Sequence, residues 1–431
     1  MACSRLALAA ALSSAMTSPA LRADDQPPAP QPAAAKVVNW AGTAHAWLDL
    51  PQSQGQVIEF TMTFGPEPGR VVIHNAGEDI AVPIVKDDGK TLTLRFDDYD
   101  SEIRATRVDE EGRELVGEWV KRRGPANDSA EFVRLPFRLN ARGYCPMDGV
   151  NREQSAATEA AFQREPRWLA RFEGDEDAAV LVFSKGENPH ATFLTTTGDY
   201  RFLTPVYAGN QVRLSCFDGS HAFLFVATLR DDRLTGDFWS GPKFHTTWTA
   251  TPDADAKLPD GFGIAKVTPG MSLNDLTFTG LDAKPASLGD AAFAGKCRVI
   301  EVFGTWCPNC KDATNLMKEF HARYRDKGLS MVGLAFEVTG DERRDLEQVR
   351  IYRDRHGVTF PLLLGGKSEK SASQKAFPVI DRVHAYPTLI FADAAGKIRA
   401  VYAGFSGPAT GAEHAAMRER LERMIETMLA E

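Results

Sequence analysis

Hydrophobic and polar positions divide this chain at about residue 260. Before it, apolar residues recur in short alternating runs, such as Val57 to Phe60, Arg70 to Ile73, Thr91 to Phe96 and Phe223 to Thr228. Asp88-Gly89 and Asp218-Gly219 stand between such runs as turn signals, so the spacing predicts antiparallel strands. Helical spacing interrupts this only from Asn151 to Glu165. After residue 260 the period changes. Cys297 to Phe303 reads as a buried strand, and Ala313, Leu316, Met317, Phe320 and Tyr324 as one helix face. Leu329 to Phe336 follows as a strand, Asp341 to His356 as a helix ending at Gly357, and Phe360 to Leu364 as a strand. A hairpin from Thr388 to Tyr402 and a helix lined by Met417, Leu421, Met424 and Met428 complete the pattern. The predicted architecture is multidomain. It has β-rich units at 37–140 and 166–252, a connector at 141–165, a linker at 253–265 and an α/β domain at 266–431.

The two β-rich units resemble each other. Thr91–Phe96, Ala105-Thr106 and Leu115–Trp119 recur as Gln211–Cys216, Ala227-Thr228 and Leu234–Phe238, which suggests a duplicated antiparallel unit. Neither copy shows a catalytic constellation.

The N-terminus changes the picture of where the protein works. Arg5, the apolar run Leu6 to Met16 and the small residues after it have the layout of an export signal over residues 1–23. A Pro/Ala spacer occupies 24–36. An exported, periplasmic or other extracytoplasmic protein is expected, with no membrane-spanning segment in the mature chain. The composition, 43% hydrophobic and 25% charged, is that of a folded protein. Its net charge of −8 argues against nucleic-acid binding. The acidity is uneven. Residues 24–265 hold 25 Lys+Arg against 37 Asp+Glu, whereas 266–431 hold 23 against 21, so the β-rich half carries the negative charge and its acids should mark something it meets.

The chemistry concentrates in Gly304-Thr-Trp-Cys-Pro-Asn-Cys310, where a buried strand gives way to a helix. Cys307 would lie at the helix N-terminus, whose unpaired N–H groups and dipole favour a thiolate with a pKa below the free-thiol value. Cys310 follows one turn later, so Cys307 is expected to attack a disulfide and Cys310 to resolve the mixed disulfide. Glu301, inside the apolar strand, would be costly there without a task; exchanging a proton with Cys310 is one. A zinc site would need four ligands at suitable spacing, which this sequence does not offer, and because thiolate exchange needs neither, no metal or organic cofactor is expected. Cys145 and Cys216 are open to pairing or to burial as thiols, and Cys297 reads as a small apolar residue. His384 reads as a loop residue near Pro387.

The Cys-x-x-Cys segment after a strand, followed downstream by Tyr386-Pro387-Thr388, resembles the thioredoxin superfamily, and within it the exported TlpA/ResA-like thiol–disulfide oxidoreductases. The resemblance implies a central mixed sheet flanked by helices over 266–431. It implies a cis Pro387 against the cysteine pair. Trp306, Pro308, Tyr386, Pro387 and Thr388 would contact the substrate strand. Glu301 matches the buried-acid position, where Asp is more usual. Partners would be protein clients with cysteines or disulfides, together with an upstream electron donor. Pro308-Asn309 lacks the His of strongly oxidising relatives, which favours a reductase. Two alternatives are a ligand-binding or adhesion protein with a regulatory redox domain, and a thiol peroxidase. The Thr that peroxidases carry three residues before the cysteine is replaced by Gly304.

Overall fold

The computed structural model describes residues 41–53, 55–65, 68–123, 131–142, 152–186 and 188–431. The expected export segment, the spacer and Cys145 lie outside them.

The first β-rich unit is a closed barrel of eight antiparallel strands. These are β1 (Gly42–Asp49), β2 (Val57–Phe64), β3 (Arg70–Asn75), β4 (Glu78–Asp87), β5 (Thr91–Phe96), β6 (Ser101–Arg107), β7 (Glu114–Arg123) and β8 (Glu131–Asn140). Alternation explains the closure. Ile58, Phe60, Met62 and Phe64 turn inward from β2, as do Leu92, Leu94 and Phe96 from β5, so every strand has one apolar face to bury. Pairing of Ala46 with Leu139 and of Leu48 with Phe137 joins β1 to β8 and leaves no open sheet edge.

The helix α1 (Arg152–Arg164) is more than a connector. Its Phe162 is fully buried and stacks on Phe183 with centroids 4.3 Å apart, so the helix belongs to the core of the second unit. That unit comprises β9 (Arg167–Phe172), β10 (Ala179–Phe183), β11 (Ala191–Thr195), β12 (Gly198–Asp199), β13 (Thr204–Ala208), β14 (Gln211–Phe217), β15 (Ala222–Arg230), β16 (Arg233–Ser240) and β17 (Phe244–Pro252). Their order is β12-β11-β10-β9-β17-β16-β15-β14-β13. Its joining pair, β9 with β17, corresponds to β1 with β8; on the far side no strand pair closes the sheet, but the Ala191–Leu203 bridge ties β11 to the residue just before β13. The segments matched by sequence fall on equivalent strands: β5 with β14, β6 with β15, β7 with β16. Gly117 faces Ala105 across its strand pair and Gly236 faces Ala227. A Cβ at either glycine would lie 1.9 Å from a carbonyl oxygen of the neighbouring strand, that of Arg104 or Val226. Both copies therefore require glycine at the same point of close approach.

The two units share an apolar core. Phe217, at the end of β14, enters the barrel cluster, its ring 4.8 Å from Phe60 and 5.4 Å from Trp119. Its backbone is fixed there by Asn75, which accepts the Phe217 N–H at 3.1 Å and donates to the Phe217 carbonyl at 2.9 Å.

Residues 253–265 do not dangle as a linker. Ala256 packs with Val180 and Leu194, Asp260 pairs with Arg420, and the Phe262 ring lies edge-on to Tyr402. Beyond them, β18 (Thr277–Gly280), β19 (Pro285–Ser287), β20 (Cys297–Phe303), β21 (Leu329–Glu337), β22 (Leu362–Lys367), β23 (Thr388–Asp393) and β24 (Ile398–Ala403) form a sheet ordered β19-β18-β22-β21-β20-β23-β24. It is mixed: β20, β21 and β22 are parallel, and β23, β24, β18 and β19 pair antiparallel. The helices are α2 (Pro308–Tyr324), α3 (Glu342–His356), α4 (Lys370–Ala376) and α5 (Ala412–Ala430). Apolar residues of α2, α3 and α5 join one core with Cys297, Val299 and Phe303 of β20. Ile300 and Val302, on the other face, pack with Leu273, Leu288, Phe293 and Phe377. The helices are thus distributed unequally, and irregular segments cover much of the second face.

Candidate active site

Strand β20 delivers the site. It is central and buried along its whole length, so the chain leaves it in a fixed direction. Gly304 permits the sharp turn that follows, because a Cβ there would lie 2.2 Å from the Trp306 indole nitrogen. The Trp306 indole folds back instead and donates to the Phe336 carbonyl at 2.9 Å. Cys307 is then the N-cap of α2, with Pro308 as its first residue, a position where the missing N–H costs nothing. The Cys307 sulfur accepts the Cys310 N–H at 3.3 Å, and its thiol lies 3.4 Å from the Tyr386 carbonyl. One N–H of the first helical turn, that of Cys310, thus meets this sulfur. Cys307 is 8% exposed and Cys310 fully buried. Burial, reinforced by hydrogen bonding to Cys307 and by the nearby charges of Cys307 and Glu301, pushes the Cys310 thiol well above its usual range.

Glu301 occupies the same face of β20 as Val299 and Phe303, the face that carries α2. It is 1% exposed. One carboxyl oxygen accepts the Thr314 hydroxyl at 2.8 Å, and Tyr352 in turn donates to Thr314 at 3.0 Å. The other oxygen has no hydrogen-bond partner among the described residues. Burial pushes the Glu301 carboxyl up to about 8, against the smaller opposite effect of Thr314. A carboxyl near Cys310 with one oxygen uncommitted and an affinity for protons near neutrality can exchange a proton with the second thiol.

The Tyr386–Pro387 bond is cis. Tyr386 packs edge-on against Trp306, with centroids 5.4 Å apart, so the two expected substrate-contact residues form one aromatic rim. Thr388 is placed differently. It is fully buried and its hydroxyl donates to the Ala385 carbonyl at 2.8 Å, holding the loop rather than facing outward. His384 is tied to Asp381 at 3.1 Å. Cys216 and Cys297 are buried free thiols; burial pushes Cys297 up to about 12 and Cys216 well above its usual range. Among the described residues there is no cluster suited to hold a metal.

A second buried acid escaped the sequence reading. Glu337, the last residue of β21, accepts both the backbone N–H of Thr305 at 2.9 Å and its hydroxyl at 2.8 Å. Burial pushes its carboxyl up to about 7, although the Thr305 bonds oppose this. Together with the Phe336 carbonyl, it clamps Thr305 and Trp306, the two residues before Cys307. The signal was present: an acid ending an apolar strand is the same anomaly that singled out Glu301.

The Redoxin family model matches residues 268–417. The chain is 29% identical to the thioredoxin-like protein YneN of Bacillus subtilis over 31% of this chain and 71% of that one. It is 25% identical to the thiol-disulfide oxidoreductase ResA of Geobacillus thermodenitrificans over 32% of this chain and 71% of the relative. A putative thiol:disulfide interchange protein DsbE from Chlorobium tepidum shares 19% identity, covers 38% of this chain and 99% of its own, and superposes with a TM-score of 0.30.

Proposed function

We infer that this chain, a thioredoxin-superfamily protein over its C-terminal Redoxin domain, is a thiol–disulfide oxidoreductase, and we propose that it reduces protein disulfides. The observation that carries the reading is the Cys307 sulfur at the N-cap of α2, with Cys310 one turn on and Glu301 in the core behind. In the proposed cycle the Cys307 thiolate attacks a client disulfide, R–S–S–R′. A Cys307–S–S–R bond forms and R′S⁻ leaves, taking a proton. Glu301 accepts the Cys310 proton as the Cys310 sulfur attacks Cys307, forming the Cys307–Cys310 disulfide and releasing RS⁻. Two electrons pass from the dithiol to the client, and a dithiol donor restores them. Trp306, Pro308, Tyr386 and Pro387 surround the attacking sulfur in this reading. The backbone beside Pro387 would pair with an extended client strand.

The reductive direction rests on Pro308-Asn309 lacking a cationic group. The export signal-like N-terminus supports an extracytoplasmic site of action. Among the described residues no helix is long and apolar enough to cross a membrane.

The test is reduction of hydroxyethyl disulfide and of insulin with dithiothreitol as donor. Cys307→Ser is expected to bring both rates to the uncatalysed background. Undiminished rates in that variant would contradict the mechanism.

A further inference from the structure

The active-site turn is covered by the second β-rich unit. Asn309, between the two cysteines, donates to the Asp199 carbonyl at 3.1 Å. Gly198 packs so closely that a Cβ there would lie 2.4 Å from the Asn309 amide nitrogen. The Asp199 carboxylate accepts the Gly407 N–H, and the Ser220 hydroxyl donates to the Trp306 carbonyl at 3.0 Å. Arg201 is 4% exposed and anchors the contact. Its guanidinium pairs with Glu78 of the barrel at 2.6 Å and with Asp312 of α2, two residues beyond Cys310. The loop Gly198–Arg201 thus lies against the catalytic turn while Arg201 ties all three parts of the molecule together. In this arrangement Cys307 keeps 8% exposure, too little for a folded client to lay a strand beside it.

The same seam is built to separate. None of the apolar clusters that fill the barrel and second unit extends into those of the redox domain; the direct bonds between the domains are hydrogen bonds and ion pairs. The barrel turn Asp97–Asp100 faces Arg344, Arg355 and His356 of α3, and Gln348 donates to the Asp97 carbonyl at 2.8 Å. A cavity of about 490 Å³ runs through the seam, bounded by Trp119 and Lys121 of the barrel, Ser220 and His221 of the second unit, and Trp306 and Glu337 of the redox domain. An interface joined by hydrogen bonds and ion pairs around an unfilled cavity permits relative motion between domains of one chain, unlike a continuous core.

Building on the oxidoreductase reading, we propose that the β-rich body is a releasable cover over the dithiol. The Gly198–Arg201 loop is its specificity-determining element: when closed it admits small disulfides and excludes folded protein clients. Folded clients react only from the open form, so their apparent rate carries the open fraction as a factor.

The experiment compares kcat/KM for hydroxyethyl disulfide and for insulin in the full chain. Arg201→Met removes the anchor. Arg344→Ala/Arg355→Ala loosens the seam from its more exposed side, and serves if the first variant does not fold. Each folded variant is expected to raise insulin reduction by roughly tenfold while leaving hydroxyethyl disulfide reduction within about twofold of the unmodified chain. Unchanged insulin reduction in a folded variant, or equal gains for both substrates, would overturn the cover. If the unmodified chain reduced neither substrate, the oxidoreductase reading would fail and the cover with it. If it reduced both equally well, only the cover would fail.

Discussion

The molecule has two internal seams, and they are made of different material. Between barrel and second unit, Phe217 crosses into a shared apolar core, with Ala222, Leu224 and Trp239 beside it. Between this β-rich body and the redox domain, Arg201, Arg344 and Arg355 meet acids across a seam that encloses a cavity. Apolar burial is non-directional and lost in full on separation, whereas the partly exposed pairs of Arg344 and Arg355 exchange readily for water, and the buried Arg201 makes the contact there that is costly to break. The first seam makes one body of two units. The second lets that body rest on the dithiol without being fused to it. The contrast also gives a small part of the uneven charge a partner: the three acids of the barrel turn Asp97–Asp100 face the basic residues of α3. Burial would push Asp98 up, but His356 and Arg355 hold its carboxyl below the ordinary range.

The comparison breaks most visibly at Phe217. Phe217→Ala removes a fully buried ring from the shared core and is expected to destabilise the β-rich body by about 3–5 kcal/mol. Denaturant unfolding followed by tryptophan fluorescence would measure this, since six of the seven Trp lie in that half. Arg344→Ala/Arg355→Ala, at the other seam, should cost only about 1 kcal/mol in the same experiment. Equal losses would mean that the two seams do not differ as described.

A third effect is confined to the redox domain and concerns pH. Glu301 binds its proton up to about 8 when folded, against an ordinary value of 4.5. Between those limits the folded state holds a proton that the unfolded state has lost, so stability falls as pH rises from about 5 to about 8. Glu337, raised to about 7, acts in the same direction. Glu301→Gln should therefore flatten the decline without abolishing it, as thermal unfolding at a series of pH values would show. The same variant should slow resolution of the mixed disulfide by roughly 100-fold, because no carboxylate takes the Cys310 proton. Unchanged resolution would remove Glu301 from the mechanism, and an unaltered pH profile would remove it from the decline.

Local chemistry was legible in the sequence where it depends on neighbours along the chain. The strand Cys297–Phe303, the helix face from Ala313 to Tyr324, the N-cap position of Cys307 and the buried Glu301 all follow from periodicity and spacing. The duplicated strands showed through their matching residues. What stayed hidden depends on contacts between distant segments. Glu337 grips Thr305 from 32 residues away. Closure of β1 onto β8, the entry of Phe217 into the barrel and the docking of Arg201 on Asp312 join parts that no local pattern connects. Thr388 looked like a contact residue because it follows Pro387, but strand alternation turns its side chain into the core. The connector helix hid its role for a similar reason, since one phenylalanine, Phe162, commits it to the second unit.

The most direct test of the dithiol mechanism is mass spectrometry of Cys310→Ser after mixing, in its reduced form, with insulin under non-reducing conditions. The expected result is a mixed disulfide through Cys307, released by dithiothreitol and absent from Cys307→Ser/Cys310→Ser. Adduct formation through Cys216 or Cys297, or persistence of the adduct after Cys307 is replaced, would contradict the assignment of Cys307 as the attacking thiol.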